Sequence, residues 1–280
     1  MKMFEKSSEK PIVISENNME KLSKLPLNKL KQKTNFVFIT TGYNNSKWIE
    51  KSLNSISFQN YSKEMFRIIY VDDASTDNSK ELCEKWISNN PDINITFKNN
   101  PKNLGPAGSR YLATQETRDE EVCIFLDGDD WLKNKEVLNS INSLYYFFED
   151  ITSTYGGSRN GYSKDVYYRD KEHAGLHGNL FPHLRTCRAI YAKAVPEEYL
   201  KYKGEWIKTC TDCALFQCIA ELADNRHVFI QSTLMHYNHE NSYTNKETGF
   251  MASKTNKKAM QRRAEYKEYI ENLEPLKPLR

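Results

Sequence analysis

Glu121–Leu126 (EVCIFL) is a short apolar run that passes directly into Asp127-Gly128-Asp129-Asp130. Such a run, cut off by a turn signal, reads as a buried strand, and the acids stand where that strand must end. Upstream the pattern repeats. Asn35–Thr40 (NFVFIT) is a strand ahead of Gly42-Tyr43-Asn44-Asn45, Arg67–Val71 (RIIYV) one halted by Asp72-Asp73, and Ile93–Lys98 a third. Lys47–Phe58, Ser79–Asn89 and Ala107–Thr117 lie between them and space their apolar residues as helices do; Trp48, Ile49, Leu53 and Ile56 share one face, as do Leu82, Trp86 and Ile87. Strands alternating with helices imply an α/β fold with a mostly parallel sheet covered on both faces. Ligands of such sheets lie outside the carboxyl ends of the strands, where Tyr43-Asn44, Asp72-Asp73 and Asp127 to Asp130 converge.

Working outward, residues 1–33 are rich in Lys, Ser and Asn and read as a flexible arm, with one short helix over Asn18–Leu25. Beyond Trp131 the spacing predicts a helix over Val137–Phe148, strand-like pieces in Ser153–Tyr168, an amphipathic helix over Asp212–Ala223 and a strand at His227–Gln231. Lys254–Arg263 carries five basic residues and no acid, and with Tyr266–Leu273 reads as a terminal helix with a solvated basic face. Peripheral contact with an anionic membrane is its alternative use. The organisation expected is an arm (1–33), an α/β half (34–132), a second half of the same domain (133–245) and a basic helical tail (246–280).

The 280 residues are 39% hydrophobic and 28% charged, which excludes wholesale disorder and a fibrous repeat. A net charge of +3 is too balanced for a protein that coats nucleic acid. No uncharged apolar run approaches the roughly 18–20 residues of a membrane helix, and the start has no apolar signal region; the expectation is a soluble cytoplasmic protein. Six cysteines in a chain of this size read as reduced packing residues. Cys210-x-x-Cys213 lacks the second pair that a structural zinc site requires.

Two acids one residue apart at the end of a buried strand repel each other, and a divalent cation resolves the conflict. Oxygen ligands suit Mg²⁺ or Mn²⁺. There is no Gly-rich Lys loop and no GxGxxG, which removes support for a P-loop kinase or a dinucleotide dehydrogenase.

Thr41-Gly42-Tyr43-Asn44-Asn45, VDDASTDNS (71–79), NLGPAGSR (103–110) and FLDGDD (125–130) together resemble the ordered landmarks of glycosyltransferase family 2. The resemblance is specific over residues 35–132 and looser to about residue 245. Ala74 departs from the usual Gly, and Thr41-Gly42 from the usual Pro and small residue. What it implies is a GT-A-like three-layer sandwich, a Rossmann-like nucleotide-binding half joined to an acceptor-binding half. The implied activity is a metal-dependent (Mn²⁺ or Mg²⁺), inverting transfer of a hexose, glucose or galactose, from a UDP-sugar to a hydroxyl of a glycan or glycoprotein.

By the same resemblance Thr40, Tyr43 and Asp73 hold base and ribose, with Asp72 fixing their loop. Arg110 faces the donor, Asp127 approaches the ribose and Asp129 binds the metal. Asp212, opening its helix, is the expected catalytic base; an N-cap role is its alternative, and Glu205 and Glu221 are the fallbacks. In His183-Leu184-Arg185-Thr186-Cys187-Arg188 the guanidiniums of Arg185 and Arg188 suit the donor diphosphate or an acceptor pocket, a solvated strand face being the alternative. His239 is expected near the metal, ahead of His236. Trp131 and Trp206 are either sugar-stacking or packing residues. Two further readings stay open, a nucleotidyltransferase that makes nucleotide sugars and an inactive nucleotide-sugar-binding scaffold.

Overall fold

The strands alternate between two cores. Phe36 and Phe38, Ile68 and Tyr70, Val122 and Ile124 fall in one buried cluster, while Val37 and Ile39, Ile69 and Val71, Cys123 and Phe125 fall in the other. Successive side chains of a strand point to opposite faces, so continuous apolar runs create a core on each side of the sheet. A computed structural model describes residues 12–23, 34–148, 150–158, 183–223, 227–238, 240 and 257–279.

In chain order the elements are β1 (Ile12–Ile14), α1 (Glu16–Ser23), β2 (Asn35–Gly42), α2 (Ile49–Ser57), β3 (Phe66–Asp72), α3 (Ser79–Asn89), β4 (Ile95–Asn99), α4 (Gly105–Thr114), β5 (Glu121–Phe125), β6 (Trp131–Leu132) and α5 (Val137–Phe147). Then follow β7 (Ser153–Ser158), β8 (Arg185–Arg188), α6 (Ala189–Lys193), the small hairpin β9 (Lys201–Tyr202) and β10 (Glu205–Trp206), α7 (Thr211–Leu222), β11 (His227–His236) and α8 (Lys257–Glu271).

The main sheet runs β1-β11-β7-β8-β5-β2-β3-β4, with β6 added on β11. Its pairs are parallel except those made by β8 and β6. Met19 of α1, Ile49, Leu53 and Ile56 of α2, Cys83 and Trp86 of α3, and Leu138, Ile141 and Leu144 of α5 build the core on one face. Ala107 of α4, Ala192 of α6, Leu215 and Ile219 of α7, and Tyr266 and Ile270 of α8 build the other. The result is a three-layer α/β sandwich.

Two expectations need correction, the loose arm and the fallback bases. Residues 12–23 are not a loose arm: β1 adds a parallel strand to β11, with Ile12 beside Val228, and Met19 is buried. Their polar composition hid a few apolar residues sufficient to dock an edge. The terminal helix has the solvated basic face expected of it, with Lys257, Lys258 and Arg262 exposed, and its other face is docked. Tyr266 and Ile270 enter the core, the Leu276 N–H donates to the Glu221 carboxylate (2.8 Å), and the Leu279 N–H donates to the Leu222 carbonyl (2.9 Å). Glu221 is thus occupied in holding the tail, and Glu205 is exposed on the small hairpin, so neither fallback base meets the acidic turn. Among the described residues no helix is long and apolar enough to cross a membrane.

His227, at the start of β11, packs against the Tyr155 ring (5.7 Å) and is buried, which pushes its imidazole down to about 4. A histidine whose folded pKa lies below the unfolded value of about 6.5 withdraws stability as pH falls through 6.5. Acidification from pH 7 to 5 is expected to cost about 2 kcal/mol through this group alone. His227→Phe should lessen the acid loss by that amount in urea unfolding at the two pH values.

Candidate active site

β2, β3 and β5 end side by side, and the loops leaving them lock together. Asn44, in the left-handed region at φ 49°, accepts at Oδ1 from the Thr76 N–H (2.7 Å), and its own N–H donates to Ser75 Oγ. Buried Asn45 bonds to the Tyr70 hydroxyl. Asp72 accepts from the Ser75 N–H (3.0 Å) and hydroxyl (2.5 Å), so it does fix this loop. Ala74 sits at φ 61°, a conformation that favours glycine and costs an L-residue about 1–2 kcal/mol.

Asp73 is 4% exposed and holds the next segment. Its carboxylate accepts from Asn100 Nδ2 (2.8 Å) and from the backbone N–H groups of Leu104 (2.9 Å) and Gly105 (2.7 Å). It therefore pins the start of α4, where Gly105 turns at φ +78°. Thr40 is fully buried on β2, and its Oγ1 has no hydrogen-bond partner among the described residues. Tyr43 is half-buried at the mouth of the loop.

Fixing α4 aims Arg110. This side chain is 5% exposed, and its guanidinium donates to Asp127 (2.5 Å), Asp212 (2.6 Å) and the Thr211 hydroxyl (3.2 Å). Arg185 also reaches Asp212 (3.1 Å) and lies over the Phe216 ring. Asp212 is on the first turn of α7 and makes no side-chain cap, so its N-cap alternative does not hold. Burial works against its ionisation, yet the guanidiniums of Arg185 and Arg110 hold its carboxyl well below the usual range. The two carboxylates in turn raise Arg110 despite the penalty of burying it.

Arg188 is not brought here. Antiparallel β8 starts at the site edge and leaves it, placing Arg185 opposite Phe125 and Arg188 opposite Val122. That is about 10 Å further along the strand. The odd spacing also puts the two guanidiniums on opposite faces: Arg188 bonds to the Ile151 carbonyl (2.9 Å) and covers the Tyr145 ring.

The acidic run folds as a turn closed by the Asp130 N–H on the Asp127 carbonyl (2.9 Å). First and fourth residues of a turn come together, so Asp127 pairs with Asp130 where the sequence pointed to Asp129. One ligand atom from each of Asp127, Asp130 and His183 lies within 4.8 Å of the others, and Asp129 is not part of this cluster. Asp130 is 1% exposed; its Oδ1 accepts from the Asn238 N–H (2.8 Å) and its Oδ2 has no hydrogen-bond partner among the described residues. Burial, with Asp129 and Asp127 adding repulsion, pushes its carboxyl well up. Burial and the Arg185 charge hold the His183 imidazole down at about 4, neutral and able to ligate. A divalent cation would relieve the carboxylate repulsion and satisfy the orphaned oxygen, so these residues fit Mg²⁺ or Mn²⁺. His239 lies outside the described residues. His236 instead faces the Trp131 ring (5.8 Å), which stacks on Trp48 and carries Lys51 (3.4 Å). Trp206 packs on Tyr111. Both tryptophans are half-exposed and engaged with these neighbouring side chains.

The turn geometry of residues 127–130 is the sequence signal for this cluster. Nothing in the sequence around His183 marks it as a member, because its place follows from β8 running antiparallel to β5.

Gly128 permits that turn. A Cβ there would lie 2.5 Å from Asn45 Nδ2, 3.0 Å from the Tyr70 hydroxyl and 3.2 Å from the Thr41 carbonyl oxygen. Backbone on one side cannot give way, so Gly128→Ala is expected to cost about 1–3 kcal/mol in chemical unfolding.

The family described as Glycosyl transferase family 2 matches residues 37–188. A poly(ribitol-phosphate) β-N-acetylglucosaminyltransferase, TarS of Staphylococcus aureus, is 32% identical over 72% of this chain and 35% of its own. The chain spans about a third or less of the length of the first curated relatives it matches. The crystal structure of S. aureus TarS 1–349 with UDP-GlcNAc superposes with a TM-score of 0.54 at 23% identity, covering 73% of this chain and 58% of that one. The mannosyltransferase PcManGT from Pyrobaculum calidifontis, with GDP-Man and Mn²⁺, gives 0.57 at 17% identity, covering 81% and 64%. These likenesses establish the GT-A fold.

Proposed function

The chain belongs to glycosyl transferase family 2, and on that footing we propose that it moves a sugar from a UDP-sugar to an acceptor hydroxyl, in a single displacement with inversion, in the presence of Mn²⁺ or Mg²⁺. The observation that carries this reading is the charge arrangement at one sheet edge. Two buried guanidiniums, Arg110 and Arg185, meet Asp212 beside the Asp127–Asp130–His183 cluster. The TarS name supports N-acetylglucosamine as the sugar and a polyol-phosphate glycan as the acceptor, in place of the glucose or galactose that the resemblance first suggested.

Asp127, Asp130 and His183 would hold the cation, which when bound neutralises the departing diphosphate. Thr40, Tyr43 and Asp73 form the base and ribose side, Asp73 chiefly by holding the loop that lines it. Arg110 and Arg185 bind the diphosphate. As they do so their hold on Asp212 weakens, and its carboxylate accepts the proton of the attacking hydroxyl.

The experiment is a panel of UDP-GlcNAc, UDP-glucose and UDP-galactose with Mn²⁺, with and without poly(ribitol phosphate), scored by release of UDP. Release from one donor, accelerated by the polymer, is the expected result. Asp212→Asn should lower turnover by about 10²–10⁴-fold while UDP affinity stays the same or tightens, since the arginines lose a competitor. If no donor is cleaved and UDP with Mn²⁺ gives no thermal stabilisation, the reading fails.

A further inference from the structure

Two pairs of cysteines bring their sulfurs together. Cys123 and Cys187 face each other across β5 and β8, fully buried; burial pushes the Cys123 thiol up and no oxidant reaches it. Cys210 and Cys213 are placed otherwise. Cys210 is the left-handed N-cap of α7 (φ 59°), and its carbonyl accepts from the Ala214 N–H (3.1 Å), closing the first helical turn. Residues three apart on such a turn have Cβ atoms about 5–6 Å apart, within reach of a disulfide after a small adjustment. The Cys213 thiol neighbours the Cys210 sulfur, whose own S–H donates to the Arg263 carbonyl of α8 (4.0 Å). Cys213 is half-exposed and Cys210 is 9% exposed, open to a small oxidant.

We propose that Cys210 and Cys213 are a reversible redox dithiol, oxidised by hydroperoxide. The Cys210 thiolate attacks the terminal peroxide oxygen; the O–O bond breaks, Cys210 becomes a sulfenic acid and the alkoxide leaves, or hydroxide when the oxidant is hydrogen peroxide. Cys213 then attacks the Cys210 sulfur, forming the S–S bond, and the Cys213 proton departs with the sulfenic oxygen as water. Two thiols are oxidised and one peroxide is reduced; a dithiol reductant reverses the bond. The asymmetry is already present. The Cys213 hydrogen bond, helped by Arg263 and opposed by burial, holds Cys210 down at about 7, and the same hydrogen bond with burial pushes Cys213 up. Nucleophile and resolving thiol are thereby distinguished. Thr209 and Asp212 are the other polar groups facing the pair. The disulfide would close its ring around Thr211 and Asp212, the two residues of α7 that receive Arg110.

The test treats the full chain with hydrogen peroxide, alkylates accessible thiols before and after unfolding, and maps the products by mass spectrometry. Expected is a Cys210–Cys213 disulfide, reversed by dithiothreitol, with Cys123 and Cys187 alkylated only after unfolding. In Cys213→Ser the sulfenic acid at Cys210 should persist and be captured by dimedone. Overturning results are a folded protein whose Cys210 and Cys213 both remain thiols, a Cys210 oxidised past sulfenic acid without a disulfide, or a dimedone yield in Cys213→Ser no higher than in the parent.

Discussion

Arg110→Met is expected to lower UDP-sugar turnover by about 10²–10³-fold or more and to lower stability together with it. The guanidinium joins Asp127, in the turn after β5, to Asp212 on α7 through direct bonds, at 2.5 and 2.6 Å. Its removal leaves two carboxylates facing one another with Arg185 as their remaining near cation. Breaking a buried pair costs about 3–5 kcal/mol when the survivor is sealed from water. Here Asp127 and Asp212 keep 26% and 38% of their side-chain surface exposed, so water rescues part of the loss and about 2–3 kcal/mol is expected. Thermal unfolding should then fall by on the order of 5–10 °C. Arg110→Lys should not restore turnover, because a single ammonium cannot fork between two carboxylates. Near-parental turnover in either variant would remove Arg110 from the donor site.

Asp130→Asn separates stability from function in the opposite sense. In the metal-free protein Asp130 is a buried acid pushed up by burial and by its acidic neighbours, with Oδ2 unbonded among the described residues. The amide keeps the oxygen that accepts from the Asn238 N–H and relieves the repulsion, so stability without metal should be equal or higher. Stabilisation by Mn²⁺, measured as the shift in Tm on adding the ion, should vanish, and turnover should drop by about 10²-fold or more. If the Mn²⁺ shift survives, the cation is held elsewhere, and Asp129 is the next residue to replace.

Much of the β2–β5 unit was legible because its information is local. The runs around Phe36, Ile68 and Ile124 carry strand signals in six or so residues, and acids that follow a strand must lie at its end. Arg110 and Asp212 are singled out only by motif resemblance, and the structure pairs their side chains. What stayed hidden depends on partners distant in the chain. That Arg110 bonds to Asp212, 102 residues away, follows from α4 and α7 sharing one face of the sheet. That Arg185 reaches the site while Arg188 does not follows from the direction of β8, and HLRTCR contains nothing that fixes it. Asp129 is the metal ligand that the resemblance implies, whereas the hydrogen bond that folds residues 127–130 back on themselves brings Asp130 beside Asp127.

The pairing of β1 with β11 has a consequence for how the chain reaches this structure. Residue 12 lies beside residue 228, so β1 must wait for more than 200 further residues before its partner exists. Strands β2 to β5 find their neighbours within a far shorter stretch, and closing the smaller loops costs less entropy. Folding should therefore begin in the β2–β5 unit during synthesis and end with the three-residue edge strand, whose amide protons should be among the first of the sheet to exchange.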